Sequence, residues 1–291
     1  MFEFVQLRSF IAVARELHFG RAAQRLNMTQ PPLSRHIQML ERELGLQLLV
    51  RTSRSVRLTP AGQVFFEAKR ILQQSEAAVQ SAREAASTDR GSLSVGFIGA
   101  ATYGYLPKLV TALAKELPNV DVTFREMTSA EQLEALAYGR IDLGLVRPLT
   151  PEPDLRAACV MREPLALAIP LDHPLSVRRQ PELADLDGEP FIMYSPEGPY
   201  LHEMLTRLFR QAGVRPRYVQ QMSRAQAILS LVSAGTGLAI VPEQTSNASF
   251  NTIVFRPLRL GQDFTVELHS VWHAHNRNRI LPVFQGLLLR L

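Results

Sequence analysis

Hydrophobic residues in the first part of the chain recur with the three- and four-residue spacing of amphipathic helices. The spacing predicts a helix over residues 3–17, a short helix over 21–26, and a third from 30 to about 44. Asn27 and Gly45 are placed to end the second and third helices in left-handed turns. Short helices joined by tight turns are typical of a helix-turn-helix domain.

The third predicted helix has a polar face that suits nucleic acid. Thr29 is expected to be its N-cap, through a hydroxyl that accepts from a backbone N–H. In a major groove, Arg pairs with guanine and Gln with adenine. The candidate DNA-reading residues on the polar face are Gln30, Pro31, Ser34, Arg35 and Gln38, and the opposite face carries Leu33, Ile37, Leu40 and Leu44. An ordinary amphipathic surface helix is the alternative.

Residues 46–58 alternate basic and apolar positions. The basic ones recur at every third position and are Arg51, Arg54 and Arg57. This pattern predicts a two-stranded wing whose arginines contact phosphates or the minor groove. A solvated basic loop is the alternative.

A long helix is predicted from Thr59 and Pro60, as N-cap and first residue, to about residue 86. Its apolar stripe consists of Ala61, Val64, Phe65, Ala68, Ile71, Leu72, Ser75, Val79, Ala82 and Ala86. A helix about 40 Å long cannot bury this stripe against the N-terminal domain alone. We therefore expect a partner helix from a second copy; packing on the C-terminal domain is the alternative. Residues 87–92 form a polar hinge.

From residue 93 the pattern changes to strands that alternate with helices. The first set comprises strands 93–98, 120–125 and 141–146 with helices 103–117 and one opened by Ser129, where Gln132 would complete a capping box. A second set fills residues 165–241, followed by strands near 252–256 and 265–272 and a helix near 279–290. Repeated βαβ units predict an α/β fold with a mainly parallel sheet and helices on both faces.

Composition and charge narrow the class of protein. The 291 residues are 46% hydrophobic and 20% charged, which indicates a globular chain of two or three domains. Residues 1–58 hold nine arginines and four acidic residues, and the rest of the chain is neutral, so the whole net charge of +5 is N-terminal. This asymmetry favours a polyanion contact there. No apolar run approaches a membrane span and no signal peptide is recognised, so we expect a cytoplasmic protein without a membrane partner.

The N-terminal motifs resemble those of the LysR-type transcriptional regulators. The residues that carry the resemblance are Phe10, Ala22, Ala23, Leu26, Gln30, Pro31, Leu33, Ser34, Ile37, Leu40, Glu41, Leu44, Gly45, Leu48, Leu49, Arg51 and the run from Leu58 to Gly62. The sequence of residues 30–35 resembles that of the family branch that controls aromatic-compound catabolism. The match is dense over the N-terminal module and looser over the remaining length.

The resemblance implies an organisation and a function. It implies a winged helix-turn-helix over 1–58, a linker and dimerisation helix with hinge over 59–90, and a two-lobed effector domain, like periplasmic binding proteins, over 91–291. Lobe I would combine about 91–163 and 266–291, and lobe II about 164–265. Such regulators are homotetramers, or dimers of dimers, that bend promoter DNA in response to an effector. RNA polymerase is a further candidate partner, and no cofactor is expected.

Candidate effector residues follow from the strand ends, because ligands of open α/β sheets bind beyond the carboxyl ends of the strands. They are Ala100, Thr102, Ser129, Arg147, Pro199 and Tyr200. Helix N-termini and the charge of Arg147 favour a small organic acid, such as an aromatic acid or a dicarboxylate. Ordinary caps and surface loops are the alternative. Related regulators that respond to muconate and benzoate carry hydroxyl residues where this chain has Gly99 and Ala100. This difference weakens the inference that this chain binds the same effectors.

Other chemistry finds little support. Cys159 is the only cysteine, so an internal disulfide is excluded; a buried thiol is expected, with a redox sensor as the alternative. His269, His273 and His275 form a local group of possible metal ligands, but no Cys or acidic residue completes a recognisable spacing, and no metal is expected. Ser195 lacks the Gly-x-Ser-x-Gly context of a nucleophile.

Two classes of function therefore compete. One is a DNA-binding, effector-responsive regulator, and the other is a solute-binding or catalytic α/β protein with a basic accessory module. The charge partition and the predicted wing favour the regulator. The sequence contains no recognisable enzyme motif, so we do not expect this protein to be an enzyme.

Overall fold

The computed structural model describes residues 2–51, 55–72, 74–75, 78–79, 91–148, 153–258, 260 and 264–291. These residues form two compact units, one from the N-terminal part of the chain and one built almost entirely from residues after 90. Each unit has its own hydrophobic core. Within the described residues, no helix has both the length and the apolar character needed to cross a bilayer.

The N-terminal unit begins with three helices, α1 (Phe4–Glu16), α2 (Phe19–Arg25) and α3 (Gln30–Leu44). Asn27 and Gly45 have positive φ angles of 52° and 65°, so the predicted left-handed turns are confirmed. The core between the helices fully buries Leu7, Phe10, Leu33, Ile37 and Leu40. This packing fixes which face of α3 points outward.

A hairpin and a fourth helix follow. Strand β1 (Leu49–Arg51) pairs antiparallel with β2 (Val56–Leu58), as predicted for the wing. Helix α4 (Pro60–Phe65) begins after Thr59, whose hydroxyl accepts from the N–H of Gly62 at 2.9 Å. The predicted N-cap and first-turn proline are therefore confirmed.

The apolar stripe of the predicted long helix is divided between two surfaces. Helical backbone continues past α4 through a 3₁₀ turn (Phe66–Ala68) to residue 72, whereas positions 82 and 86 lie outside the described residues. One set packs on the N-terminal core and consists of Ala61, Phe65, Ala68 and Leu72. The other set is exposed and consists of Val64, Ile71 and Val79. The N-terminal unit covers the first set, in which the Phe65 ring packs against Phe2 and Phe10, but it leaves the second set exposed. This agrees with the expectation that the N-terminal unit cannot bury the stripe alone.

The second unit alternates strands and helices. Its strands are β3 (Ser92–Phe97), β4 (Asp121–Glu126), β5 (Leu143–Val146), β6 (Leu155–Glu163), β7 (Leu165–Pro170), β8 (Pro190–Tyr194), β9 (Arg217–Met222), β10 (Ala239–Pro242), β11 (Ile253–Pro257) and β12 (Val266–His273). Its helices are α5 (Tyr105–Glu116), α6 (Ser129–Ala137), α7 (Pro199–Ala212), α8 (Ala225–Ser233) and α9 (Leu281–Leu288).

These strands form two halves of the second unit. The five-stranded half is a single sheet with the order β4-β3-β5-β12-β6. The second half combines the three-stranded sheet β10-β7-β11 with the parallel pair β8-β9. The chain leaves the first sheet after Glu163 and returns to it at Val266. The prediction of a mainly parallel sheet is wrong. On its return β12 runs antiparallel to both neighbours, and β7 is antiparallel to β10 and β11. Strand and helix periodicity does not encode these directions.

Candidate functional site

The candidate DNA-reading residues lie on the outer face of α3. Gln30, Pro31, Arg35 and Gln38 are exposed, and Ser34 is half-buried. The opposite face is anchored in the core by Leu33, Ile37 and Leu40. The guanidinium and amide groups that can read base edges are therefore held on the solvent side of a rigidly packed helix.

The start of α3 differs from the prediction at Thr29. Thr29 occupies the N-cap position with an extended backbone, but its hydroxyl makes no capping hydrogen bond. A cap hydroxyl binds the N–H of the second or third helical residue, and here these are Pro31 and Pro32, which have no N–H. The expected hydroxyl cap is therefore wrong, although the helix begins where it was predicted.

The arginines of the wing have different surroundings. Arg57 is exposed on β2 opposite Val50. The guanidinium of Arg51 lies 3.7 Å from the Glu41 carboxylate and 4.5 Å from the centre of the Phe19 ring. Arg54 lies outside the described residues. Arg51 thus ties the wing to α2 and α3, in addition to any contact with a phosphate.

Glu41 is a positioning residue, which the sequence analysis named only among the residues that carry the family resemblance and without a role. Its Oε1 accepts hydrogen bonds from the N–H groups of Leu48 at 2.8 Å and Leu49 at 3.0 Å. Together with the Arg51 contact, these bonds join the end of α3 to the first strand of the wing. The sequence signal is an acidic residue directly after the buried Leu40.

Three of the candidate effector residues converge at one edge of the five-stranded half. The hydroxyl of Ser129 accepts from the backbone N–H of Arg147 at 3.3 Å. The Arg147 guanidinium donates to the carbonyl of Glu267 at 2.9 Å, and the N–H of Glu267 donates to the Tyr200 hydroxyl at 3.0 Å. Because Tyr200 belongs to the second half, the backbone of Glu267 links the two halves.

The charge of Arg147 is compensated inside the protein. Arg147 is only 8% exposed, and its Nη2 lies 3.5 Å from the carboxylate of Glu163. Burial raises the pKa of the Glu163 carboxyl, and Arg147 opposes this shift only in part. The other oxygen of Glu163 accepts from the N–H of Gln244 at 3.0 Å. Arg147 is therefore not the open positive charge that the sequence analysis expected.

The other candidate effector residues are not joined to Arg147 by any described hydrogen bond. Thr102 is exposed, and its hydroxyl donates to the carbonyl of Gly99 within the same turn. Ala100 is half-buried on that turn, and Pro199 is exposed at the first position of α7. These three residues line the predicted strand ends without entering the hydrogen-bonded cluster.

The capping box of α6 is shifted by one residue from its predicted position. Thr128 and Glu131 form it: the Thr128 N–H donates to the Glu131 carboxylate at 2.7 Å, and the Glu131 N–H donates to the Thr128 hydroxyl at 3.3 Å. Gln132 is instead fully buried and donates to the carbonyls of Met127 and Leu145. The shift leaves the Ser129 hydroxyl available to hold Arg147.

Tyr194 is a candidate ligand-binding residue that the sequence analysis missed. It ends β8, its hydroxyl is buried, and that hydroxyl has no hydrogen-bond partner among the described residues. Burial raises the pKa of this hydroxyl, so it stays protonated, and the charges of Arg147 and Glu163 are close enough to act on it. A single hydroxyl at the carboxyl end of an otherwise apolar strand was the available signal.

The histidine region also differs from expectation. His269 Nε2 lies 2.7 Å from the Glu267 carboxylate, and Cys159 completes a group whose potential ligand atoms lie within 4.8 Å of one another. No sequence spacing indicated this group, because Cys159 lies on β6 whereas Glu267 and His269 lie on β12, and only the fold brings them together. The rings of His273 and His275 lie 5.6 Å apart as a separate pair.

Comparisons with known proteins agree with this architecture. Residues 4–63 match the family model of bacterial regulatory helix-turn-helix proteins of the lysR family, and residues 86–290 match the LysR substrate binding domain. The HTH-type transcriptional regulator AlsR of Bacillus subtilis (strain 168) is 39% identical, with 97% of this chain and 94% of AlsR covered. BenM of Acinetobacter baylyi is 34% identical, with 88% and 85% covered.

A solved structure extends the likeness to a DNA-bound regulator. The crystal structure of full-length CbnR with its target DNA superimposes with a TM-score of 0.79 at 33% identity, and 99% of both chains is covered. Both family models and these whole-chain relatives describe transcriptional regulators rather than enzymes. The chain therefore belongs to the LysR family and is a sequence-specific DNA-binding transcriptional regulator.

Proposed function

We propose that a small organic acid controls how this regulator binds or bends its promoter. The observation that carries the proposal is the buried hydroxyl of Tyr194, which has no partner in the described part of the chain and lies beside the cluster of Arg147, Ser129 and Tyr200. A buried hydroxyl without a partner costs free energy. A ligand that offers it an acceptor atom would remove that cost and would bridge both halves of the unit.

The surroundings of Arg147 support an acid as the ligand. Its Nη2 lies 3.5 Å from Glu163, which is long for a charge-assisted hydrogen bond. A ligand carboxylate can therefore compete for this donor. Because burial raises the pKa of Glu163, that residue can take up a proton when it loses Arg147. An aromatic acid or a dicarboxylate would add apolar or polar contacts to the strand-end residues Ala100, Thr102 and Pro199.

We further propose roles for the DNA-binding residues. Their exposure on α3 supports base contacts by Gln30, Ser34, Arg35 and Gln38, with Pro31 at the helix entry. Arg57, Arg54 and, in part, Arg51 would hold phosphates or the minor groove. Phosphate contacts of this kind make binding fall steeply with salt.

The proposed assembly is a dimer, or a dimer of dimers, joined through residues 60–86. Val64, Ile71 and Val79 are 77%, 41% and 51% exposed, an apolar surface that a partner helix would cover. The winged domain would comprise 1–58, the linker 59–90 and the effector domain 91–291. Within the effector domain, lobe I would be about 91–163 and 266–291, and lobe II about 164–265.

In this scheme effector binding changes the relative populations of two arrangements, because the ligand contacts both lobes. The spacing of the paired DNA-binding domains on the promoter would change with it. A regulator that binds promoter DNA works beside RNA polymerase, which we propose as a further partner, in the cytoplasm.

Calorimetric titration of the full-length protein with benzoate and with a six-carbon dicarboxylate tests the effector. We expect one acid to bind, and Tyr194→Phe to weaken its binding about tenfold, which corresponds to one lost hydrogen bond. Tyr218→Phe is the matched control, because Tyr218 lies in the same half and packs on Phe191 and Phe209 away from the cluster. Equal affinity of the wild type and Tyr194→Phe, or no binding of any acid, would contradict the proposal.

A further inference from the structure

We propose that Cys159, Glu267 and His269 form a binding site for a thiophilic divalent cation of the Zn²⁺ class. One potential ligand atom from each residue lies within 4.8 Å of the other two. Thiolate, imidazole and carboxylate are the ligands that zinc takes in proteins, and the thiolate disfavours Mg²⁺ and Ca²⁺. The site is a feature of the five-stranded half and does not depend on the proposed effector.

A β-bulge brings these side chains together. His269 of β12 is the register partner of Cys159 on β6, and Glu267 is the partner of Arg162. Cys159 and Arg162 are three residues apart, so in a regular strand they would point to opposite faces. The register shift between Leu268 and His269 places Cys159 and Arg162 beside His269 and Glu267, which share one face of β12.

The distances suit a tetrahedral ion after a small adjustment. Bonds of about 2.0–2.3 Å place the donor atoms of such a site about 3.3–3.8 Å apart. The contact between His269 Nε2 and Glu267 Oε2 is shorter, at the hydrogen-bond distance of 2.7 Å. A cation bound between these two atoms must break this contact and move them apart by about 0.6 Å. Burial and the Glu267 carboxylate raise the pKa of the Cys159 thiol, so the cation must also displace the thiol proton.

Arg162 supplies the outer contact that metal-binding carboxylates commonly have. Its Nε donates to Oε1 of Glu267 at 2.7 Å and leaves Oε2 directed at His269. The Arg162 side chain is 66% exposed, so it orients the carboxylate without filling the space between the three ligands. Three protein ligands leave a fourth position for water or an anion.

The site is coupled to the link between the two halves. The backbone of Glu267 accepts from Arg147 and donates to Tyr200. An ion held by the Glu267 side chain would fix the backbone unit that makes both bonds. Because the ligand set exists only in the folded chain, we expect Zn²⁺ to raise the melting temperature.

The test uses the full-length protein without an affinity tag, stripped with a chelator and titrated with Co²⁺ and then Zn²⁺. We expect one Co²⁺ per chain with a thiolate charge-transfer band that Zn²⁺ abolishes. Cys159→Ser should remove the band, and Glu267→Gln and His269→Ala should weaken Zn²⁺ binding at least about tenfold. His275→Ala is the matched control, since this nearby histidine is exposed and outside the group.

A second measurement needs no variant. Alkylation of Cys159, the only thiol, should slow in Zn²⁺ and not in Mg²⁺. Absence of the charge-transfer band in the wild type, equal Zn²⁺ affinity of the wild type and a folded Cys159→Ser, or unchanged alkylation in Zn²⁺ would each overturn the proposal.

Discussion

Arg35 and Arg147 show how differently the two units present a charged side chain. Arg35 is exposed on the outer face of α3, and the helix beneath it is held by apolar packing. Arg147 is buried, and its guanidinium is used by Glu163 and the carbonyl of Glu267. The first arrangement leaves a charge available to a partner that arrives from solvent. The second makes ligand binding an exchange of one set of contacts for another.

The difference has a thermodynamic consequence. Removal of an exposed side chain from a packed helix should reduce DNA binding and leave stability almost unchanged. Removal of a buried and paired side chain should reduce stability first, because its partner is left without compensation. The following variants separate these two cases, in order of the expected size of their effects.

Arg147→Ala should lower the free energy of unfolding of the second unit by about 3–5 kcal/mol, because Glu163 would remain buried without its partner. Trp272, the only tryptophan, lies on β12 and reports this transition by fluorescence in denaturant. Arg162→Ala is the matched control: it also removes a Glu267 contact, but the pair is exposed, so the free energy of unfolding should stay almost unchanged. The double variant Arg147→Met/Glu163→Leu should recover much of the lost stability. Equal losses in Arg147→Ala and Arg162→Ala would refute the distinction between the buried and the exposed pair.

Glu41→Ala should destabilise the N-terminal unit by about 2–3 kcal/mol, because two strand N–H groups lose their acceptor. Hydrogen exchange at Leu48 and Leu49 measures the effect locally, and DNA affinity should fall with it as the wing loosens. Arg42→Ala, an exposed neighbour, should stay within about 0.5 kcal/mol of the wild type. Unchanged protection of Leu48 and Leu49 in Glu41→Ala would show that the carboxylate does not hold the wing.

Arg35→Ala should cost about 1–3 kcal/mol of DNA binding and relax preference at one base position, with stability unchanged. Competition binding against a set of operator variants measures this preference. Arg57→Ala is the contrasting variant, since a phosphate contact should weaken all sequences alike and reduce the salt slope by about 1. A uniform loss in Arg35→Ala would make Arg35 a phosphate contact as well.

Tyr194→Phe should change stability least, by less than about 1 kcal/mol and in the stabilising direction, because it removes a buried hydroxyl without a partner. Denaturant unfolding followed by Trp272 fluorescence measures it in the absence of any acid. Destabilisation by more than about 1 kcal/mol would mean that the hydroxyl already makes a hydrogen bond within the protein. That result would remove the main support for an effector site at Tyr194.

The exposed face of α3, which is the candidate DNA-binding surface, could be predicted in advance because its determinants are local. Helical periodicity fixes which face of α3 is buried, and Asn27 and Gly45 mark turns that their own backbone preferences produce. Even here the Thr29 cap was mispredicted, since only the combination with Pro31 and Pro32 removes the donors. The contact between Glu41 and the wing joins two elements, and no spacing within α3 predicts it.

The second unit was predicted less well because its contacts cross between distant segments. Ser129 and Arg147 are 18 residues apart, and Tyr200 and Glu267 are 67 apart. The group of Cys159, Glu267 and His269 also depends on a bulge, which strand periodicity cannot show. Strand ends indicated the edge where Ser129, Arg147 and Tyr200 meet, but the compensation of Arg147 by Glu163 required the fold.

Selection of DNA in vitro by the purified full-length protein tests the central claim most directly, namely that the outer face of α3 reads promoter sequence. The account predicts enrichment of an inverted repeat by the wild type, and loss of preference at one symmetric pair of positions for Arg35→Ala. Recovery of unrelated sequences by the wild type, or the same repeat with undiminished preference from Arg35→Ala, would contradict it.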